Sequence, residues 1–334
     1  MFNIKLRSRE FFAALAESPP GVVRCRRSWR QERERREKIL VHHFDPSGWD
    51  DNWFGNSLKG LQAILKKSAL YDRGIQNALN IQVVSEELFF PNLPEAFDGY
   101  TILHLSDLHF GSLPQVDDII IQTLDNQECD LCVITGDFRA SILDSHDHLL
   151  TQMKRVVNTV AARDGFLAVL GNHDAADMAE PLDELGCRVL INARVILRRQ
   201  DAAMHILGLD DTHFFPSRMA MAALAAPRQE NFSILLVHSP DVAQAAARNG
   251  FDLYLCGHTH GGQICWPTGT PILTGLRDGL FHHSHGLWRQ GSMLGRTSNG
   301  LGASLVPVRF FNRPEIVRIV LRKRLDAVPQ DVVS

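Results

Sequence analysis

Five short apolar runs in this chain each end in Asp, Asn or His, and that arrangement narrows the fold more than any other feature. Tyr100-Thr101-Ile102-Leu103-His104-Leu105 leads into Ser106-Asp107-Leu108-His109, and Leu131-Cys132-Val133-Ile134-Thr135 leads into Gly136-Asp137. Phe166-Leu167-Ala168-Val169-Leu170 precedes Gly171-Asn172-His173-Asp174. Ile234-Leu235-Leu236-Val237 meets His238, and Leu253-Tyr254-Leu255-Cys256 meets Gly257-His258-Thr259-His260. Apolar runs of this length, bounded by turn signals, suit strands buried on both faces. Helical patterns such as 116–126 and 241–249 lie between them, which predicts an α/β fold. One Asp after a strand is ordinarily a turn or helix cap. Five such ends together point to a ligand site, because loops converge at the carboxyl ends of strands on rigid supports.

The residue types suit two metal ions. Asp107 and His109 flank one intervening residue and can reach one ion from a tight loop. Asp137 carries two carboxylate oxygens and can bridge, Asn172 offers a neutral carboxamide oxygen, and His238, His258 and His260 offer imidazole nitrogen. Mixed nitrogen and oxygen ligation suits Mn, Fe, Co, Ni or Zn better than Mg, and two divalent ions, Mn first, are expected. Mg prefers oxygen ligands and water. Two ions about 4 Å apart can hold a phosphate and lower the pKa of a shared water, and the resulting hydroxide can attack phosphorus in line.

The order Asp-x-His, Gly-Asp, Gly-Asn-His-Asp, His, Gly-His-x-His, over roughly residues 98–265, resembles the calcineurin-like metallophosphoesterases. The resemblance implies a four-layer α/β/β/α sandwich around a dinuclear centre. It implies that Asp107, His109 and His260 hold one metal, that Asn172, His238 and His258 hold the other, and that Asp137 bridges. His173 would be the catalytic acid, with Asp174 to orient it. Many members read Gly-Asp-x-x-Asp, with the second Asp supporting the catalytic His. Here Ala140 takes that place, and its side chain cannot do so. Arg139, beside it, is a candidate to bind substrate phosphate or equally a surface ion pair. Gly257 to Ile264 with Trp266-Pro267, and the later Asn299-Gly300-Leu301-Gly302, Pro307, Arg309 and Pro314-Glu315-Ile316, look like the bacterial membrane-associated phosphodiesterase branch. That branch includes UDP-2,3-diacylglucosamine pyrophosphatases of lipid A synthesis.

Ahead of this domain lies a different composition. Residues 1–41 hold 11 Lys or Arg against 5 Asp or Glu, a surplus of +6. With a net charge of −3 for the whole chain, the remainder carries −9. The expected organisation is a basic, mostly helical extension over 1–79, a metallophosphoesterase domain over 80–325 and a tail over 326–334. Arg24-Cys25-Arg26-Arg27-Ser28-Trp29-Arg30 reads as a solvated helix face or as a basic surface for anionic lipid headgroups. Leu58, Leu61, Ile64 and Leu65 recur at helical spacing and should pack on the main domain. Typical members of the branch begin with a membrane helix. No stretch here approaches the ~18 apolar residues of a membrane span, and the early run 11–16 is flanked by Glu10 and Glu17, a poor signal peptide. The expectation is a cytoplasmic protein, peripheral at the inner membrane surface through its basic segment.

The six cysteines read as reduced, and Cys129-x-x-Cys132 reads as core packing rather than a metal or redox pair. Phe281-His282-His283-Ser284-His285 is a substrate-side loop or plain surface rather than a third metal site. Trp288, Met293 and Leu294 are core residues before they are a wall for acyl chains. The leading function is hydrolysis of a phosphodiester or pyrophosphate bond in a phosphorylated small molecule or nucleotide-linked lipid, UDP-2,3-diacylglucosamine being the specific case. Alternatives are a phosphodiesterase for small soluble substrates such as cyclic nucleotides, and a non-catalytic interaction module. No nucleic-acid partner is expected, since the −9 remainder lacks the basic groove a nuclease needs.

Overall fold

The apolar runs pair into two sheets of six strands each. The computed structural model describes residues 20–44, 60, 62–68, 70–141, 144–226, 231–272, 274, 276, 280–304 and 306–324. In chain order the strands are β1 (Gln82–Phe90), β2 (Thr101–Leu105), β3 (Leu131–Ile134), β4 (Phe166–Ala168), β5 (Cys187–Val189) and β6 (Ala193–Arg199). There follow β7 (Ala202–Gly208), β8 (Ser233–Leu236), β9 (Leu253–Cys256), β10 (Gly286–Gln290), β11 (Met293–Thr297) and β12 (Glu315–Lys323). The helices are α1 (Pro20–Phe44), α2 (Leu70–Leu79), α3 (Val116–Leu124), α4 (His146–Thr159), α5 (Ala179–Glu184), α6 (Arg218–Ala225) and α7 (Ala243–Arg248). The first sheet runs β1-β12-β2-β3-β4-β5 and the second β10-β11-β9-β8-β7-β6.

Strand alternation decides which layer each side chain enters. Ile102, Leu131, Val133 and Leu167 of the first sheet meet Met204, Ile206, Ile234, Leu236, Leu253 and Leu255 of the second in the central core. Their neighbours point the other way. Leu103, Cys132, Ile134 and Ala168 pack with Ile120 and Leu124 of α3 and Leu149, Met153 and Val156 of α4. Leu207, Leu235, Tyr254 and Cys256 pack with Ala220 and Leu224 of α6 and Ala243 and Ala246 of α7. The result is helix, sheet, sheet, helix, the four-layer α/β architecture expected. β2, β3, β4 and β5 are mutually parallel, as are β7, β8, β9 and β11, so their carboxyl ends come out on common edges.

Trp288 and Met293 lie in the core beneath α6 and α7, and Leu294 lies between the sheets, so packing is their role. Cys129 and Cys132 are buried and unbridged, and burial pushes the Cys129 thiol up to about 12. Leu65 is buried with Val306 and Val308, while Ile64 is 69% exposed. Leu58 and Leu61 lie outside the described residues. No helix among the described residues is long and apolar enough to cross a membrane.

The basic helix α1 is not a freely solvated face. Trp29 and Arg33 are buried against the main domain. Arg26 pairs with Asp183 at 2.7 Å and donates to Val189 O at 2.8 Å. Among its described side chains the basic residues left exposed are Arg27, Arg35 and Lys38. The sequence pattern also passed over β10, β11 and β12. β12 inserts between β1 and β2, parallel to one and antiparallel to the other.

Ile206→Ala should remove about 2–5 kcal/mol by opening the inter-sheet core. Ile64→Ala, at an exposed position, should stay within about 0.5 kcal/mol of wild type. Urea midpoints at constant m-value check both.

Candidate metal centre

Three loops of the first sheet and two of the second meet at one point. β2 delivers Asp107 and His109, β3 delivers Asp137, β4 delivers Asn172 and His173, β8 delivers His238, and β9 delivers His258 and His260. Five of these residues adopt the left-handed backbone region: Asp107 (φ 49°), His109 (φ 41°), Asp137 (φ 55°), His258 (φ 73°) and His260 (φ 52°). Each such non-glycine conformation costs on the order of 1–3 kcal/mol and persists only where surroundings over-determine it. Glycine lets the loops close to this degree. A Cβ on Gly171 would collide with Asp137, and one on Gly257 with Ser106 and Asp107.

The donor atoms converge in two sets. His109 Nε2 lies 3.1 Å from His260 Nε2, and His260 Nε2 lies 3.5 Å from Asp107 Oδ1. In the second set Asn172 Oδ1 is 2.9 Å from His258 Nδ1 and 3.1 Å from His238 Nε2, and the two nitrogens are 3.2 Å apart. Asp137 Oδ2 faces both, 3.6 Å from His109 Nε2 and 3.3 Å from His238 Nε2. Ligands about 2.1 Å from an ion stand roughly 3–3.5 Å from one another, so these spacings fit a divalent cation in each set. Among the described residues, the acid and imidazole groups able to hold an ion are Asp107, His109 and His260, and Asp107, Asp137 and His238, all buried. Asp107 therefore stands within reach of both sets, beside Asp137. The far nitrogens support the fit: His109 Nδ1 sits 2.9 Å from Arg139 O and His238 Nδ1 2.7 Å from Thr135 O. Donation to those carbonyls leaves each Nε2 free to ligate.

Burial and neighbouring charge set the protonation of these groups. Burial pushes His109 down to about 3, and holds His258 and His260 well below the ordinary imidazole range. Burial also raises Asp107 to about 6. His238 is the exception. Burial would lower it, but the carboxylates of Asp137 and Asp107 prevail and raise it to about 10. Asp137 in turn stays well below the carboxylate range despite burial, because His238 and His173 face it.

His173 sits at the rim, its Nε2 4.0 Å from Asp137 Oδ2. Its Nδ1 lies 2.8 Å from the carbonyl oxygen of Ala140. The missing carboxylate at position 140 is thus replaced by a backbone acceptor, which no side-chain pattern reveals. Asp174 does not orient the imidazole. Its carboxylate accepts the backbone N–H of Asp137, Phe138 and Gly171, and so ties two ligand loops together. Arg139 is 2% exposed, not a surface ion pair. Its Nε donates to His173 O at 2.8 Å and its Nη1 to Asp144 O at 3.0 Å. Its Nη2 has no partner among the described residues.

The later motif around Asn299 to Asn312 braces the same centre. Gly302 N donates to Asp107 O at 2.7 Å, and Asn312 Nδ2 donates to His260 O at 2.8 Å and Gly261 O at 2.6 Å. The 281–285 loop braces it too. Ser284 O accepts the Thr259 hydroxyl between the two histidine ligands, and His283 packs on Trp288 at 4.3 Å.

The Calcineurin-like phosphoesterase family profile matches residues 100–262. A metallophosphoesterase of Bacillus subtilis, YkuE, is 32% identical over 243 residues, 69% of this chain and 82% of its own length. A second from that bacterium, YkoQ, is 28% identical over 232 residues, 64% of this chain and 81% of its own. The phosphodiesterase YaeI of Escherichia coli is 28% identical over 233 residues, 66% and 82% respectively.

Two outcomes follow from the geometry. Because the carboxylates of Asp137 and Asp107 raise His238 to about 10, and ligation needs its Nε2 without a proton, Mn²⁺ loading at pH 7 should release protons. Affinity should then rise from pH 6 to pH 9. Calorimetry in two buffers of different ionisation heat measures this, and pH-independent affinity would contradict it. Ala140→Ser should keep kcat within about threefold, since the carbonyl does the work, whereas His173→Ala should lose about 10²–10⁴ in kcat.

Proposed function

The chain belongs to the calcineurin-like phosphoesterase family and is a phosphoester hydrolase, and we propose that the bond it cleaves is a phosphodiester or pyrophosphate. The dinuclear centre rests on Asp137, whose one carboxylate oxygen faces both donor sets at 3.3 and 3.6 Å, and the diester reading draws on the similarity to the phosphodiesterase YaeI. Asp107, His109 and His260 would hold one divalent ion, and Asn172, His238 and His258 the other, with Asp137 between them. The pair would neutralise phosphate charge and supply a water of lowered pKa. Mn²⁺ is the first ion we would test, and the mixed nitrogen and oxygen donors suit Fe, Zn, Co and Ni as well, all of them better than Mg.

The remaining chemistry belongs to side chains of this chain. His173, held by the Ala140 carbonyl, is oriented to give a proton from Nε2 to the departing oxygen. Arg139 fixes the backbone of His173, and its burial argues against the direct phosphate contact expected of it.

The finer reading concerns the rest of the substrate. A groove of about 920 Å³ includes Gly261, one residue past His260, in its lining but none of the donor residues, and is walled by Leu65, Ile264, Trp266, Ile272, Phe310 and Phe311. Arg73 and Arg313 stand on its walls. An apolar trough with basic edges beside a phosphate site suits an amphiphile such as a nucleotide-linked acylated sugar, and UDP-2,3-diacylglucosamine has that chemistry. The proposal includes contact with an anionic membrane surface through the exposed Arg27, Arg35 and Lys38.

Purified protein loaded with Mn²⁺ or Mg²⁺ should hydrolyse bis-p-nitrophenyl phosphate faster than p-nitrophenyl phosphate. Asp137→Asn should lower kcat by at least about 10²-fold. UDP-2,3-diacylglucosamine should then outcompete a cyclic nucleotide as substrate. Faster monoester turnover would overturn the diesterase assignment, and preference for the cyclic nucleotide would overturn the amphiphile.

A further inference from the structure

We infer that Arg33, carried on the N-terminal helix α1, is a positioning residue of the reaction centre that fixes the loop presenting Asn172 and His173. The inference rests on the reading that those two residues act in phosphoester hydrolysis. Arg33 lies outside the family-matched segment and 74 residues before Asp107, the ligand nearest to it in sequence.

The side chain is 1% exposed and reaches from α1 to the loop after β4. Its Nη2 donates to Gly171 O at 2.6 Å and to Asp174 O at 2.8 Å. Those carbonyls bracket Asn172 and His173, so one guanidinium nitrogen sets the span of the loop that carries both. Its Nη1 pairs with buried Asp210, and its Nε lies 3.2 Å from Glu37 Oε1. The guanidinium carbon sits 4.0 Å over the ring of Phe215. Each partner is itself held. Asp210 also accepts from Trp29 Nε1 at 2.6 Å, and Glu37 accepts the Ala176 N–H at 2.8 Å, just past the loop. From the other side Arg139 donates to His173 O at 2.8 Å. Three of the four carbonyls from Gly171 to Asp174 are therefore fixed by two buried arginines, one contributed by α1.

A lysine could satisfy Asp210 as a point charge. It lacks the planar fork that reaches Asp210, Glu37 and two carbonyls together. Groups that orient ligands from behind are worth roughly 10–100-fold in metal affinity or activity, and small misplacements of reacting groups are comparably expensive.

The test uses the full chain. Arg33→Met and Arg33→Lys are compared with Arg26→Met, which loses the ion pair to Asp183 on the same helix without touching the loop. Readouts are thermal unfolding, Mn²⁺ affinity by electron paramagnetic resonance, and kcat and KM on bis-p-nitrophenyl phosphate. Arg33→Met should lower kcat by about 10–100-fold with KM within about threefold, and weaken the weaker of two Mn²⁺ sites about tenfold. Arg33→Lys should fold with wild-type cooperativity and recover only part of both. Arg26→Met should lower the unfolding temperature and leave kcat and Mn²⁺ affinity in place. Should Arg33→Met fail to fold, Arg33→Lys decides: wild-type kcat and Mn²⁺ affinity in that variant overturn the inference. So does an equal loss in Arg26→Met, which would mean that docking of α1 alone is at work. If wild type binds Mn²⁺ but cleaves no diester, the functional reading falls while the affinity comparison still tests Arg33.

Discussion

The structure turns on the burial of Asp137 among imidazoles. A carboxylate with 2% exposure would ordinarily be driven neutral by desolvation. Here His238 and His173 keep it charged, and it keeps His238 protonated in return. The same carboxylate that favours a proton on His238 would favour a divalent cation in its place. Metal binding and proton loss are thus two sides of one equilibrium, and the backbone strain at Asp107, His109, Asp137, His258 and His260 is the conformational counterpart of that demand. The two-sheet frame gives such a cluster somewhere to form, because parallel strands from both sheets end on one edge.

How much of this could be read from the chain differs by kind of interaction. Strand ends were legible because a parallel strand buried on both faces is an unbroken apolar run, and each ligand follows it within a few residues. Asp107, His109, Asp137, Asn172, His238, His258 and His260 are brought together for that reason. β12 was missed although Ile316, Val317, Ile319 and Leu321 are buried. Its place between β1 and β2 comes from pairing across more than two hundred residues, which local pattern does not carry.

Backbone acceptors were the least legible. Position 140 was read as a loss because the side chain there is a methyl group, yet the carbonyl supplies the bond to His173. Asp174 was expected to face His173, and it instead gathers three N–H groups from two loops. Both differences have one physical origin. A side-chain motif records which atoms a residue can offer, while loop geometry decides whether the main chain offers them first.

The same distinction governs α1. Arg26, Arg30, Arg33 and Arg36 recur along one charged helix with acidic partners, and by composition they are interchangeable. Arg30 and Arg36 pair with Glu34 and Glu32 four residues away, as exposed helices commonly do, at little gain in stability. Arg33 pairs with Glu37 by the same spacing but is buried, and it meets Asp210 and two loop carbonyls as well. Removing one partner of a buried, fully bonded charge leaves the others unpaired, which costs far more than a surface pair does. The helix thereby links the basic extension to the loop that carries Asn172 and His173. At Arg33, α1 and the loop after β4 share one hydrogen-bond network.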